Sequence, residues 1–380
     1  MRDEQGNSDI GAGSGAPTPA PRKRLRDRWV LMSALSLLLV VVVGVVTGLV
    51  VLTRSLEANI EYIGDPFADL PSRPTNTPEP VQPGPEGEGD GTGEGVLPPQ
   101  DPDEAMNILV VGSDSRISAG DPTQWAAGAQ RTDAIMLVHL PADGEGAYLM
   151  SIPRDSWVDV PGRGNAKINA AFSYGGAPLL IQTFEQLTNV RIDHIAVTDF
   201  ESFKAITDAL GGVEITLGED LVERGTLVAP AGDQLLTGDQ ALVYVRQRKN
   251  LARGDFDRVQ RQQAWMRSIF LRMRSQETLQ SPSRWVPVLD AVSRSVALDD
   301  GFTRGVQEGI IRRAASLSAG DVRFFTVPLN GTATSADGQS IVLLDRPAFD
   351  VLMDAVAHDR VAEYFVEHPD DVENLPWVAP

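Results

Sequence analysis

A layered α/β domain carried behind a single membrane anchor is the fold class that this sequence predicts. Three observations predict it. From Met106 onward, short apolar runs of strand length alternate with stretches of helical periodicity, which favours one layered domain over separate all-α and all-β parts. Trp29 to Thr53 contains no charged residue and is dominated by Val and Leu, enough to cross a hydrocarbon core that needs roughly 20 apolar residues. Asp65 to Glu104 is rich in Pro, Gly and Glu, as in PVQPGPEGEGDGTGEG, and lacks the apolar surface to fold alone.

The elements follow in order. Met1 to Pro21 is polar and reads as a disordered tail. Arg22, Lys23, Arg24, Arg26 and Arg28 precede the apolar run, opposed only by Asp27, whereas Arg54, Glu57, Glu61 and Asp65 follow it. The positive-inside bias sets the N-terminus in the cytoplasm and everything after Thr53 outside. A cleaved signal peptide is the alternative, but the run is longer than its usual apolar core and Val-Val-Leu-Thr-Arg is a poor cleavage site. The division is thus a basic cytoplasmic tail (1–28), a transmembrane helix (29–53), an extracytoplasmic linker (54–104) and a folded domain (105–380).

In the domain, NILVV (107–111), AIMLVHL (134–140) and AYLMSI (147–152) read as strands, the last two joined by the turn-rich ADGEG. Residues 178–187 show a helical apolar face, 195–197 a short strand, and 200–210 a helix stopped by Gly211-Gly212. A strand at 213–217 precedes a helix capped by Thr237-Gly238-Asp239 and running through Tyr244. A long helix is expected from Asp257 to about Ser275, and further helices at 285–295, 305–316 and 346–358, with a strand at 322–329.

The chain has a net charge of -19, no Cys and 4 His. The acidic balance argues against a duplex nucleic-acid binder, and the lack of Cys excludes a disulfide framework, a thiolate metal site or a thiol nucleophile. His139 and His194 lie in or beside apolar strands and read as packing residues.

Against this acidity, YVRQRKNLARGDFDRVQRQQ (244–263) crowds Arg246, Arg248, Arg253, Arg258 and Arg261 around Asp255 and Asp257. Guanidinium forks suit phosphate, since each donates two hydrogen bonds and keeps its charge. Helical spacing gives Arg258, Arg261 and Gln262 one flank, and Val259, Gln263, Met266 and Phe270 another. Arg246 and Arg248 would face one cavity if Val243 to Gln247 ran extended. Asp255 reads either as a helix cap or as a catalytic group. Asp114 (GSDSR) and Asp133 (RTD) sit at the ends of neighbouring strands, where they cap turns or converge on a hard cation such as Mg2+. Arg131 stands beside Asp133, and Arg154 (SIPRD) leaves the third strand behind Pro153. KINAAFSYGG (167–176) offers Lys167, Asn169 and a Gly pair before a helix, where an anion could be cradled.

NILVVGSDSR, RTDAIMLVHL, SIPRDSWVDVPG, KINAAFSYGG and YVRQRKNLARGDFDRVQRQQ, in this order behind one anchor, resemble the LytR–CpsA–Psr family of cell-wall enzymes. The long tether and the RGDFDRVQRQQ wording suggest an actinobacterial member. The resemblance implies a three-layer α/β/α sandwich with a central mixed β-sheet and a hydrophobic groove for lipid. It implies a phosphotransferase that moves a polyprenyl-(pyro)phosphate-linked glycopolymer, of teichoic acid, capsule or arabinogalactan type, onto a peptidoglycan hydroxyl at the plasma membrane. It further implies Mg2+ on Asp114 and Asp133, a phosphate clamp of Arg131, Arg154, Arg246, Arg248 and Arg258 with Gln262 nearby, and catalytic roles for Arg154, Arg246 and Asp255, the last as base or orienting group. The chain departs from the pattern at Lys249-Asn250, where relatives often carry His-Asp, so no acid is available at Asn250. Two other functions use the same residues: a polyprenyl-pyrophosphate hydrolase, and a non-catalytic membrane-tethered binder of lipid or wall polymer. A transcription regulator fits poorly, because the folded part is expected outside the cytoplasm.

Overall fold

The apolar runs after Met106 assemble into one eight-stranded mixed sheet. The computed structural model describes residues 59–75, 104–113, 132–247, 251–275 and 282–380. The expected transmembrane helix at 29–53 lies outside them, and no helix among the described residues is long and apolar enough to cross a membrane.

The sheet contains β1 (Glu61–Tyr62), β2 (Met106–Ser113), β3 (Thr132–Leu140), β4 (Ala147–Ile152), β7 (His194–Asp199), β12 (Val296–Leu298), β13 (Val322–Thr326) and β16 (Glu373–Asn374). Their order is β1-β12-β7-β2-β3-β4-β13-β16. The centre is the antiparallel meander β2–β3–β4, with β3 and β4 joined as expected through ADGEG. β7 and β13 flank it as parallel neighbours of β2 and β4.

Alternation along the strands sends side chains to two faces. Leu109, Val111, Ile135, Leu137, Met150 and Ile152 pack with α1 (Ile168–Thr188), α7 (Arg346–Ala357) and α8 (Val361–Glu367). Met106, Ile108 and Leu140 point the other way, against Phe302 and Val306, the latter on α6 (Arg304–Ser316). The expected mixed sheet is therefore present, with helices packed on both faces.

A second apolar cluster joins α2 (Phe200–Ala209), α3 (Gly238–Arg246), α4 (Asp255–Arg274) and α5 (Pro282–Ser293) with β8 (Val213–Leu217) and the strands after it: β9 (Leu221–Glu223), β10 (Thr226–Ala229) and β11 (Gly232–Leu236). Helix α4 is polar by composition yet buried along much of its length. Gln263 Nε2 donates to Phe325 O at 2.8 Å, and Trp265 Nε1 to Thr207 Oγ1 at 2.8 Å. Burying these two donors is tolerable because each has a partner.

Several boundaries differ from expectation. Helix α4 begins at Asp255, after Gly254 at φ 60, and α3 continues to Arg246 instead of running extended over 243–246. Helix α1 starts ten residues before Pro178, and the Gly175-Gly176 pair interrupts it: Gly176 takes φ 65 and ψ -156. The pair thus breaks α1 and precedes its second segment, the helix expected from Pro178, whereas the segment from Ile168 was not expected. The hairpin of β5 (Trp157–Val160) and β6 (Gly164–Lys167) was not expected, nor was that of β14 (Leu329–Thr334) and β15 (Ser340–Leu344). The linker boundary also moves. Residues 59–75 pack on the domain, with β1 parallel to β12 and Arg73 hydrogen-bonded to Glu185, so the extended linker does not cover all of 54–104.

Candidate active site

Three elements bring charged side chains to one place. Where β4 ends, Pro153 and the turn after it are tied down by Ser156 N–H donating to Pro153 O at 2.9 Å. Ile168 N–H donates to Ser156 O at 2.8 Å, and Asn169 N–H to Arg154 O at 3.2 Å, which fixes the Arg154 backbone against the start of α1. Its guanidinium pairs with Asp133, from the start of β3, and lies 3.9 Å from Asp255 Oδ1 in the first turn of α4. Asp255 Oδ1 is in turn 2.7 Å from Arg258 Nη2.

The result is an alternating row, Asp133–Arg154–Asp255–Arg258, mostly shielded from water. Arg258 is 2% exposed, Arg154 15% and Asp255 25%, so the row opens to solvent through its acids and Arg154. Arg154 Nε, Asp255 Oδ2 and the Gln262 Nε2 amide are buried without a hydrogen-bond partner. Orphaned polar atoms cost about 1–3 kcal/mol each, and three at one site are what a bound polar ligand would satisfy.

Two cavities of opposite character meet at Arg154. One is a narrow apolar slot between the sheet and α4, walled by Val110, Ile135, Met136, Val259, Trp265 and Met266, with Asp133, Arg154 and Gln262 also in its lining. Gly112 and Ala134 face each other across β2 and β3, and a Cβ on Gly112 would stand 3.1 Å from that of Ala134. Small residues there leave the sheet surface low. The other cavity is a polar groove of about 890 Å3, running from Arg154 and Asp155 along β5, β6 and the start of α1.

Asp257, two residues from Asp255, does different work. It is 1% exposed and accepts from the Arg253 backbone N–H at 2.8 Å and from Arg253 Nε at 2.7 Å. Arg253 also pairs with Glu373. Burial lowers the Arg253 pKa, but hydrogen bonds to Glu373 and Asp257 outweigh this and raise it. The capping considered for Asp255 is not seen: the N-cap, Gly254, has no side-chain cap, and Asp257 instead holds Arg253 ahead of the helix.

Of the residues singled out in the sequence, Asp133, Arg154, Asp255, Arg258 and Gln262 come together. Asp114, Arg131 and Arg248 lie outside the described residues. Arg246 is exposed in the last turn of α3 and lines neither cavity. The expected common flank of Arg258, Arg261 and Gln262 divides. Gln262 joins Val259 and Met266 in the slot, whereas Arg261 lies 4.8 Å over the Tyr244 ring and donates to Gln247 Oε1 at 2.7 Å. Burial lowers the pKa of Arg261 and pushes the Tyr244 phenol up to about 12. Lys167 pairs with Asp155 at 3.1 Å and, like Asn169, lines the polar groove. His139 and His194 are buried, bonded to Asn107 and Asp299, in line with packing roles. Sequence reasoning missed Trp157, Arg163 and Tyr174 in the groove; the alternation of WVDV before Pro161-Gly162 was the available sign of a hairpin there.

A metal would find only hard donors here. No group of three or more His, Cys, Asp or Glu side chains that could hold an ion occurs among the described residues. Asp133 and Asp255 nevertheless offer carboxylate oxygens within one row, one of them without a partner. Mg2+ is commonly held by one or two carboxylates with waters and substrate phosphate, and this donor set fits it.

Known proteins resemble this chain in sequence and in fold. The sequence model described as the LytR_cpsA_psr family matches residues 85–357. "Cell wall biosynthesis protein LcpA" of Corynebacterium glutamicum is 34% identical over 293 residues, 67% of this chain and 56% of LcpA. The polyisoprenyl-teichoic acid–peptidoglycan teichoic acid transferase TagU of Bacillus cereus is 34% identical over 194 residues, 51% of this chain and 60% of TagU. The chain therefore spans little more than half the length of these relatives. Among solved structures, TagT bound to LI-WTA superposes with a TM-score of 0.55 at 25% identity, covering 68% of this chain and 92% of that one.

Proposed function

The chain belongs to the LytR_cpsA_psr family, and on that premise we propose that it is a membrane-anchored phosphotransferase of cell-wall assembly. The substrate would be a glycopolymer linked through (pyro)phosphate to a polyprenyl carrier, and the acceptor a peptidoglycan hydroxyl. The names of TagU and of TagT bound to LI-WTA support this class of substrate. The observation that carries the reading is the buried Asp133–Arg154–Asp255–Arg258 row at the end of an apolar slot. The slot's apolar walls suit a prenyl chain, for which its volume of about 40 Å3 would have to widen, and the diphosphate suits the guanidiniums.

The acceptor oxygen would form a bond to the sugar-side phosphorus while the bridging P–O bond breaks, releasing the prenyl phosphate and leaving a phosphodiester. Such transfer needs positioning and charge neutralisation more than covalent chemistry. Arg154 and Arg258 would hold the charge on the phosphoryl oxygens, with Gln262 donating from the slot wall. Arg131 and Arg248 would complete the proposed clamp, and Arg246, exposed at the end of α3 and outside both cavities, would have to turn inward to join it. Asp255, with one oxygen unpartnered, would accept the hydroxyl proton. Mg2+, held by Asp133 and Asp114, would neutralise phosphate charge when bound. A transmembrane helix at 29–53, with the N-terminus in the cytoplasm, would keep the domain beside a substrate that resides in the membrane.

The test uses the full chain in bilayer discs with a labelled polyprenyl-diphosphate saccharide, Mg2+ and a peptidoglycan oligomer. Label should join the peptidoglycan, and Arg154→Ala should reduce transfer at least about 100-fold with the fold retained. Release of label to water would replace the reading with a hydrolase. Binding without turnover would leave a tethered binding protein.

A further inference from the structure

The polar groove is not used by the chemistry above, and its walls are specific in kind. Its floor is the β5–β6 hairpin and the first turns of α1. Trp157 on β5 and the exposed Tyr174 on α1 supply aromatic surface. Asn165, Asn169, Ser173 and Gln339 supply neutral donors and acceptors. Its charges balance. Lys167 is paired with Asp155 at 3.1 Å, and Arg163, which lies 5.3 Å over the Tyr174 ring, shares the groove with Asp337.

A groove lined by aromatic faces, amides and hydroxyls, without excess charge beyond Arg154, does not suit a polyanion. It suits a chain of neutral rings carrying many hydroxyls, whose C–H faces stack on aromatic side chains while the hydroxyls pair with amides. The volume of about 890 Å3 lies in the range of sites for ligands larger than one sugar. Its position adds direction. Arg154 borders both cavities, so a molecule that is apolar at one end, anionic in the middle and saccharide at the other would run from slot to groove through the charged row.

We propose that the groove along β5, β6 and the start of α1 is a saccharide-binding site, with Trp157, Tyr174 and Arg163 deciding which sugar is accepted. The proposal deepens the transferase reading and rests on it for the order lipid–phosphate–sugar, though the groove itself does not depend on turnover. The saccharide can be the donor's first sugars or the acceptor strand.

Binding to the full chain in bilayer discs separates these cases. Three probes are needed: geranylgeranyl diphosphate, the same lipid diphosphate carrying N-acetylglucosamine, and an N-acetylglucosamine tetramer added with geranylgeranyl diphosphate already present. Tyr174→Ala and Arg163→Ala should weaken a sugar-bearing probe by about tenfold, while affinity for the sugarless lipid changes by less than about twofold. Tyr174→Phe, which keeps the ring, should bind as wild type does. Weakening of the lipid-linked sugar assigns the groove to the donor, and weakening of the tetramer to the acceptor. If both variants bind both sugar probes as wild type does, or if wild type gains nothing from the sugar, the proposal is overturned. Failure of wild type to bind geranylgeranyl diphosphate would instead count against the transferase reading. The tetramer alone would then decide the groove, loss of its binding in Tyr174→Ala supporting it and unchanged binding sinking it.

Discussion

Asp255 and Asp257 stand two residues apart on one helix and face different tasks. Asp255 looks across to Arg154 and Arg258, whereas Asp257 is enclosed by Arg253. Asp255→Asn keeps the shape and an acceptor oxygen but removes the proton acceptor. Turnover should fall by about 10²–10⁴ with an unchanged melting temperature. Asp257→Ala should do the reverse, costing about 1–3 kcal/mol of stability because it strands the Arg253 N–H and leaves the guanidinium with Glu373 alone. Equal loss of stability in both variants would show that the row is only structural. The sequence does not separate them, because either aspartate could cap a helix whose first residue was uncertain by two. Tyr244 offers a pH test. Its phenol is buried without a hydrogen-bond partner, and burial pushes its pKa from 10.0 to about 12. A raised folded-state pKa means that this stabilising contribution is complete below pH 10 and is lost as pH rises through about 12. Tyr244→Phe removes both the orphaned hydroxyl and the ionisation. It should be near neutral at pH 7, move the alkaline unfolding midpoint to higher pH, and be more stable than wild type by up to about 2–3 kcal/mol once pH passes the raised pKa. An unmoved midpoint would mean that Tyr244 ionises in place.

At the scale of elements, legibility followed the apolar pattern and failed where polar side chains are buried by bonding. Strands β2, β3 and β4 were visible because both of their faces are covered, which makes near-continuous apolar runs. Helix α4 was visible as a helix, but its faces were misassigned: Arg258, Arg261 and Gln263 are all buried, each toward different partners. Periodicity sorts apolar from polar and cannot sort one buried polar residue from another. The β5–β6 hairpin escaped because its four-residue strands sit at the lower limit of readable alternation, which WVDV shows in part and GNAK does not. Close packing between helices is also hidden in sequence. Gly238 opens α3 against α2, where a Cβ would lie 2.5 Å from Lys204 O and 2.8 Å from Asp208 Oδ2. Gly238→Ala must push the two helices apart and should cost about 1–3 kcal/mol. Chemical denaturation would measure it, and an unchanged midpoint would contradict the packing.

Across the whole molecule, the feature least legible in the sequence is the strap at 59–75, because Pro and polar residues there resemble the linker that follows. One of its anchors is a buried carboxylate. Glu185 is 2% exposed and accepts from Arg73 Nη2 at 2.8 Å and from the Ile192 N–H at 2.9 Å, while Arg73 also lies 4.4 Å over the Phe67 ring. At the other end of the strap, β1 adds to the edge of the central sheet beside β12. The strap thus ties the sheet edge to the back of α1, the helix whose first turns floor the polar groove. Arg73→Ala would leave Glu185 buried without the two donors Nε and Nη2 and with Arg191 as the remaining cation acting on it. The expected cost is about 2–3 kcal/mol, below that of a fully buried pair because Arg73 is 12% exposed, or roughly 5–10 °C in melting temperature. Adding Glu185→Gln should recover part of the loss, since the stranded charge is then gone. Hydrogen exchange locates the effect. If the pair anchors the strap, amides at 61–63 and near 185–192 exchange faster in Arg73→Ala while those of β3 and β4 do not. Uniform exchange across the domain would mean that the strap belongs to the cooperative core, and wild-type exchange at 61–63 would mean that β1 pairing alone holds it.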